Sequence, residues 1–426
     1  MKIFLKYSLS LLLIFTNSLP AFCKDHSVNV NSKQTISSNK ETKTSSPSNH
    51  KTKKYDYDVY PVPLIDLNPA SGNTWGLMPV LLMANHQTQA IKAILGVFGQ
   101  YNKTTSFDGG ALAYIFPTKE DEIKLYSEVA LDYYREFSAR YFAPHFKKKF
   151  YLESNALYLN TPFGRFYGLG PRSEEGDETN YIGRTINLDL TGGYYFLKNI
   201  RANYTFRFHT TDVKNKALEE VSDTFDEFGN LPNVVDATNF FHEFSTTFDN
   251  RDNREYSTKG TLAQAGYFFS NKKIGSDQNF QGYNVTATQL IEIIPNRLTT
   301  AARFYFQQFF GDNVPFYELS ALGGERELRA YVLGRFVDKG KMLFQLEERF
   351  RLASPKLFGK NFDVYTDPFF EVGRVFPSLS KLGANYWKPV GGLGIRAFVP
   401  PNVIGRLDIG IGGDGLELYT ELGYPF

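Results

Sequence analysis

The stretch Leu322-Gly-Gly-Glu-Arg-Glu-Leu-Arg-Ala-Tyr-Val-Leu-Gly-Arg-Phe336 gathers charge and glycine between two runs of strand-like alternation, Leu298–Phe310 and Lys341–Leu352. It is too long for a hairpin turn. It fits a loop that folds back on the protein and is held there by its arginine, because a guanidinium can give two parallel hydrogen bonds to one carboxylate. Other residues of chemically capable type lack the spacing that chemistry needs. Asp249 and Asp252, with His242 nearby, are metal-ligand types, but strand alternation sends His242 and Asp249 to opposite faces. A segment this rich in Asp and Asn is turn chemistry. Gly392-Leu-Gly-Ile-Arg-Ala397 spells a dinucleotide fingerprint inside an alternating run that opens no helix. Gly334…Gly340-Lys341 has one residue too many for a P-loop and no following Ser or Thr. There is no nucleophile elbow, and the six histidines, two of them in residues 24–54, show no pairing with a serine. The sequence gives no reason to expect catalysis, a cofactor or a bound metal.

The elements that would carry such a loop are strands. The 426 residues include 39 Phe and 27 Tyr, yet mean hydropathy is only −0.33. Beyond the N-terminus no apolar run approaches the roughly 18 residues of a spanning helix. That leaves a soluble all-β protein or a membrane barrel, whose apolar face is spread over alternate residues. Residues 1–23 read as a secretory signal peptide: Lys2 and Lys6, a short apolar core over Tyr7–Phe15, and a cut site at Pro20-Ala-Phe-Cys23. Cys23, the one cysteine, lies at that site; Phe22 before it is bulky for a lipid-anchored alternative. Residues 24–54 carry seven lysines against Asp25 and Glu41 and few apolar side chains. This composition reads as a disordered periplasmic linker, with a polyanion- or membrane-surface-binding arm as the alternative. Subtracting the linker's +5 and the two leader lysines from the chain's +2 leaves −5 for residues 55–426. No basic stripe with interleaved aromatics points to nucleic acid.

From residue 55 on, period-two alternation predicts sixteen strands: 73–84, 89–102, 107–117, 121–137, 146–161, 179–195, 199–211, 238–249, 259–270, 278–294, 297–310, 341–353, 362–376, 389–399, 403–413 and 416–426. In the second half of the chain short links (Leu197-Lys-Asn199, Ile294-Pro-Asn296, Pro400-Pro-Asn402) alternate with long ones (212–237, 312–340, 377–388), the asymmetry of periplasmic turns and external loops. Met342, Phe344, Leu346, Phe350 and Leu352 share one face of 341–353; Gln345, Glu347, Arg349 and Arg351 share the other. Leu407, Ile409 and Ile411 oppose Arg406 and Asp408. Leu416, Leu418, Leu422, Tyr424 and Phe426 oppose Glu417, Tyr419 and Glu421. Charged faces of both signs fit a hydrated lumen inside a lipid-facing exterior. Glu348 falls on the lipid side, which suggests the rim or a bulge. The expectation is a transmembrane antiparallel β-barrel over 55–426 with about sixteen strands.

Several stretches together resemble one family. The chain ends in Leu422-Gly-Tyr-Pro-Phe426, similar to the C-terminal barrel signal of outer-membrane proteins, with Tyr424 and Phe426 in the signal positions. The run around Arg329 resembles the Val-Arg-Gly-Tyr/Phe loop of BamA/TamA-type barrels, the bacterial surface antigen family. Phe248-Asp-Asn-Arg-Asp-Asn253 with Lys259-Gly260 resembles the family's turn, carried here by Asp249, Arg251, Asp252 and Asn253. Phe166-Tyr-Gly-Leu-Gly170, Glu347-x-Arg349, Phe370–Phe376, Gly392–Arg396 and Arg406-Leu-Asp408 follow in the family's order. The resemblance implies a loop folded into the lumen between strands eleven and twelve, with Arg329 and Tyr331 at its tip. It implies Glu371 as the arginine's partner and Glu347, Arg349, Arg396, Arg406 and Asp408 as lumen-facing charges. Ala330 replaces the family's loop glycine, and Glu371 its usual Asp. Residues 24–54 are too short for even one polypeptide-transport-associated (POTRA) domain. The implied function is polypeptide insertion or translocation in the outer membrane, with outer-membrane lipid and a client polypeptide or separate periplasmic protein as partners. A passive solute pore and a surface-exposed structural protein or adhesin are the alternatives.

Overall fold

The computed structural model describes residues 54–426 except 69, 89, 131–133, 232, 233, 235, 255, 358, 359 and 400–402. The proposed signal peptide and almost all of the linker therefore lie outside the described residues. Alternating sequence becomes one antiparallel sheet of eighteen long strands. They are β1 Tyr55–Asn68, β2 Gly72–Asn85, β3 Ile91–Asn102, β4 Ser106–Ile115, β5 Glu122–Ala130, β6 Arg135–Phe146, β7 Phe150–Phe166, β8 Thr179–Leu197, β9 Ile200–Lys214, β10 Ala237–Asp249, β11 Gly260–Ser270, β12 Phe280–Ile294, β13 Leu298–Phe310, β14 Gly340–Ala353, β15 Asp363–Phe376, β16 Lys388–Val399, β17 Val403–Gly412 and β18 Gly415–Leu422. Each pairs with its sequence neighbour, and β1 meets β18 to complete the ring.

Eighteen strands replace the sixteen drawn from the sequence for two physical reasons. β1 contains Pro61 and Pro63, which cannot donate to a ladder and mark an edge strand. The run 121–137 covers two strands, β5 and the start of β6. The inward loop consequently joins β13 to β14. Outward side chains form an exposed apolar belt (Val59, Val97, Phe107, Phe344, Leu346, Ile411), as a lipid-facing surface requires. Glu348 lies outward near the rim, where the Thr300 hydroxyl donates to both its oxygens at 2.9 and 2.8 Å.

The three tight links read from the sequence lie at the end that carries Tyr55 and Phe426, together with the longer 250–259 and 354–362. The opposite end carries the long segments 215–236 and 311–339. The first holds the helix α1, Thr224–Phe228, whose N-terminus is capped by Asp223 accepting from the Phe225 amide at 2.8 Å. Together these loops bury inward phenylalanines of the upper barrel. Phe166, Phe241, Phe268, Phe280 and Phe309 pack with Val314, Phe316 and Val337, and the Phe166 and Phe316 rings lie 4.5 Å apart. The lumen is thus covered at this end by an apolar cap.

Candidate functional site

Beneath the cap, residues 323–335 descend onto the wall formed by β14–β18. Leu322, Leu328, Ala330, Tyr331 and Phe336 pack against Leu343, Phe369, Val375 and Val390 in a second buried cluster. Leu328 adopts φ 54°, a left-handed conformation that costs a bulky residue of order 1–3 kcal/mol. It is fully buried, so the surrounding packing fixes it there. Its carbonyl accepts from the Ala330 and Tyr331 amides, and this tight turn drives Arg329 outward into the wall.

Arg329 meets three carboxylates. Its amide and Nε donate to Glu371 at 2.7 and 2.8 Å. Nη2 lies 2.8 Å from Glu347 Oε1 and Nη1 3.3 Å from Asp408 Oδ2. The guanidinium also sits over the Phe369 ring at 3.6 Å. Arg396 contacts Asp408 at 2.7 Å and Asp367 at 3.2 Å. Arg406 contacts Asp408 at 3.2 Å, and Arg349 contacts Glu347 at 3.1 Å. Four guanidiniums (329, 349, 396, 406) therefore face four carboxylates (347, 367, 371, 408), with side chains at most 4% exposed. Equal numbers matter, because an unmatched charge at this depth carries an uncompensated desolvation cost. Burial alone would lower the Arg329 pKa, but Glu371, Glu347 and Asp408 outweigh it and hold the guanidinium above its ordinary value. The charged face read as bordering a hydrated lumen is instead covered by the loop.

Two glycines admit this approach. A Cβ on Gly410 would stand 1.9 Å from the Arg329 carbonyl oxygen, and one on Gly412 2.9 Å from the Ala330 Cβ. The bare backbone of β17 thereby accommodates the alanine found where the family's loop has glycine. Tyr331 ties the loop to the final hairpin: its hydroxyl accepts from the Gly413 amide at 2.8 Å, and its carbonyl accepts from the Tyr419 hydroxyl at 2.6 Å. Arg335 adds a contact of 2.5 Å to Asp414.

The Asp249–Asn253 turn lies at the other end of the barrel. Asp249 accepts from Arg251 Nε and Nη2 at 3.0 and 2.9 Å. Asp252 accepts from the Thr258 hydroxyl at 2.7 Å and from the amides of Asn253 and Thr258. Burial would raise its pKa, but these donors hold it below the usual carboxylate range. Both carboxylates are thus engaged within the turn, while His242 pairs with the Tyr204 hydroxyl at 2.8 Å. This turn is separate from the Arg329 network.

The C-terminus departs from its expected position. The extended run drawn to Phe426 ends at Leu422, and Gly423 turns the chain with φ 86°. Tyr424 consequently lies under the Arg349 guanidinium, 3.7 Å from its ring centre, and the Phe426 carbonyl oxygen accepts from Arg349 Nη2 at 3.1 Å. Both C-terminal residues belong with the lumen network, and the lipid-face assignment is corrected.

The ring closes by side chains. Among the described residues no backbone ladder joins β1 to β18. The Thr420 hydroxyl accepts from the Leu67 amide at 3.0 Å and donates to Asp66 at 2.9 Å. Pro61 faces Pro79 in the β1–β2 register; neither has an N–H, so this cannot be a hydrogen-bonded pair. The odd-numbered amides of β1 therefore point to the seam, as Leu67 does, and Pro61 and Pro63 delete two of the seam's donors.

Sequence reasoning placed Arg329 and Glu371 together but treated Glu347 and Asp408 only as lumen charges. Parity gives the face of a residue, whereas depth along the barrel depends on strand stagger. Tyr419, Arg335 and the seam contacts of Asp66, Leu67 and Thr420 carried no sequence signal.

No helix among the described residues is long and apolar enough to cross a membrane, which says nothing of a barrel. None of the curated proteins searched matches the chain. Its structure resembles BamA from Haemophilus ducreyi lacking POTRA domains 1–3, with 13% identity, TM-score 0.51, and coverage of 87% of this chain and 69% of that one. It also resembles CdiB from Escherichia coli (12% identity, TM-score 0.47, 87% and 63% coverage) and CdiB from Acinetobacter baumannii (9%, 0.42, 87% and 60%). The chain spans about two thirds of the length of these proteins or less. The Omp85 superfamily domain matches residues 119–387, more than half of the sequence. With the lipid-facing belt, the inward loop and this match, the chain belongs to the Omp85 superfamily of outer-membrane barrels.

Proposed function

We propose that this barrel inserts or translocates polypeptides at the outer membrane, using the β1–β18 seam as the lateral opening. The observation that carries the reading is the seam itself. Seventeen strand junctions are backbone ladders, whereas the described part of the eighteenth rests on side-chain contacts of Thr420 with two β1 residues. An exposed strand edge is a ready template for another strand, and edge pairing is a recurring mode of polypeptide recognition. The ion-pair network and Tyr331 brace β14–β18, so opening at the seam need not dismantle the wall. A passive solute pore fits less well, because the loop fills the lumen beside the wall and the apolar cap covers its outer end. The partners in this reading are membrane lipid and an extended client segment, delivered by a separate periplasmic protein.

The test is reconstitution. Liposomes carrying the full chain should accelerate membrane insertion of a urea-unfolded small β-barrel protein, scored as the gel-shifted folded band. Asp66→Cys with Thr420→Cys, in a Cys23→Ser background, would tether the seam across its 2.9 Å contact. Oxidation should abolish the acceleration and reduction restore it. Equal acceleration from tethered and untethered barrels, or none from either, would overturn the proposal.

A further inference from the structure

Glu347, on β14, has one oxygen toward the inward loop and the other toward Arg349 of its own strand. Oε1 faces Arg329 of the inward loop at 2.8 Å, while Oε2 accepts from Arg349 Nε and Nη2 at 3.2 and 3.1 Å. Arg349 in turn stacks on Tyr424 and donates to the Phe426 carbonyl. The path from the loop tip to the C-terminal tail is thus Arg329, Glu347, Arg349, Tyr424, through side chains no more than 4% exposed as far as Arg349. The tail is held where it could otherwise meet the seam. Leu67 lies beside Thr420; continuing that antiparallel register would set Ile65 by Leu422, Pro63 by Tyr424 and Pro61 by Phe426. Opposite the tail, β1 has lost its donors to proline, and Pro425 lacks one as well. The tail gains little from pairing with β1 there, and the turn at Gly423 aims it at Arg349 instead.

We infer that Glu347 couples the inward loop to the C-terminal tail, with Arg349 as the positioning residue that holds the tail off the seam edge. With Arg329 seated, Glu347 is pinned so that Oε2 faces Arg349, whose guanidinium is then fixed over Tyr424. When the loop withdraws, Glu347 loses that partner, Arg349 is no longer oriented, and the tail is freed. Coupling of this kind is reciprocal: loss of the tail's hold must loosen the loop by the same factor. That the tail, while it is held off, leaves β1 over residues 61–65 open to an incoming strand is the part that rests on the insertion reading.

The experiment needs no client. Tyr424→Trp, in a Trp75→Phe, Trp387→Phe background of the full detergent-folded chain, places one indole under Arg349. Its acrylamide quenching reports exposure of the tail. Arg349→Ala should raise the quenching constant, and Arg329→Ala should raise it as well, toward the value of the Arg349→Ala variant. Arg329→Lys, which keeps the charge but not the planar fork, serves where the alanine variant does not fold. Arg326→Ala, a loop arginine outside the network, should leave quenching unchanged. In the reciprocal arm, Arg349→Ala should speed proteolytic cleavage within 311–339. If Arg349→Ala exposes the indole while neither Arg329 variant does, or if Arg326→Ala exposes it equally, the coupling is wrong. Failure here leaves insertion in liposomes untouched, and failure of insertion leaves these quenching results standing.

Discussion

Removing the Arg329 side chain should reverse the sign of a second substitution. In the intact protein Glu371 accepts from the Arg329 amide and Nε and from Gln345 Nε2 at 2.8 Å. Arg329→Ala would leave it a fully buried carboxylate with only the amide and the Gln345 amide group. Glu347 and Asp408 would keep Arg349, Arg396 and Arg406, so most of the deficit falls on Glu371. Breaking a buried pair from one side costs about 3–5 kcal/mol, and loss of the stack on Phe369 adds roughly 0.5–2 kcal/mol. Glu371→Gln alone should cost about 1–3 kcal/mol by weakening charged hydrogen bonds. In the Arg329→Ala background the same change removes the orphaned charge and should recover roughly 1–2 kcal/mol. The assay is urea unfolding in detergent, followed by the gel shift between folded and unfolded barrel for all four proteins of the cycle. If Glu371→Gln destabilises equally in both backgrounds, the two sites are additive and the carboxylate is not held by Arg329. Exchanging the two residues should not restore stability, because a glutamate at 329 would face Glu347 and Asp408.

Other features predict separately measurable outcomes. Gly410→Val should displace the loop, since even a Cβ there meets the Arg329 carbonyl at 1.9 Å; protease added outside should then cut within 311–339 faster than in the unchanged barrel. Burial pushes the Asp338 carboxyl up to about 6, with the adjoining Lys339 amide and charge opposing it. The folded cap therefore binds more protons than the unfolded chain between about pH 4 and 6. Cap stability should be fully present below about pH 4 and fall by roughly 3 kcal/mol as pH rises through 6. Asp338→Asn should flatten that dependence in loop proteolysis measured across pH. Replacing Pro61 and Pro63 by threonine restores two donors to the β1 edge and should raise the temperature of the folded-band transition; an unchanged transition would mean that the prolines do not limit seam pairing.

The strand faces were legible because alternation is a local property. The outward Met342, Phe344 and Leu346 and the inward Gln345, Glu347 and Arg349 follow from period two alone. Beyond parity the sequence was silent. β1 was hidden by the prolines that fit it for an edge, and β6 merged with β5 into one apparent run. The alternation that continues to Phe426 concealed the turn at Gly423, whose positive φ cancels parity for every residue after it. Arg329 could be paired with Glu371, but its other two partners depend on stagger across β14, β15, β16 and β17. In that stagger Arg396 faces Arg406 directly and Asp408 faces Gly394, a juxtaposition no single strand discloses.

The seam contacts also order events in folding. Leu67 and Asp66 meet Thr420 across 353 and 354 residues of chain, whereas Arg329 finds Glu371 only 42 residues away. Closing the longer loop costs more entropy before any contact rewards it. The wall from β13 to the tail, with its loop already seated and its charges matched, can therefore assemble as a unit first. The last junction to form on this ordering is then the one with the fewest bonds among the described residues.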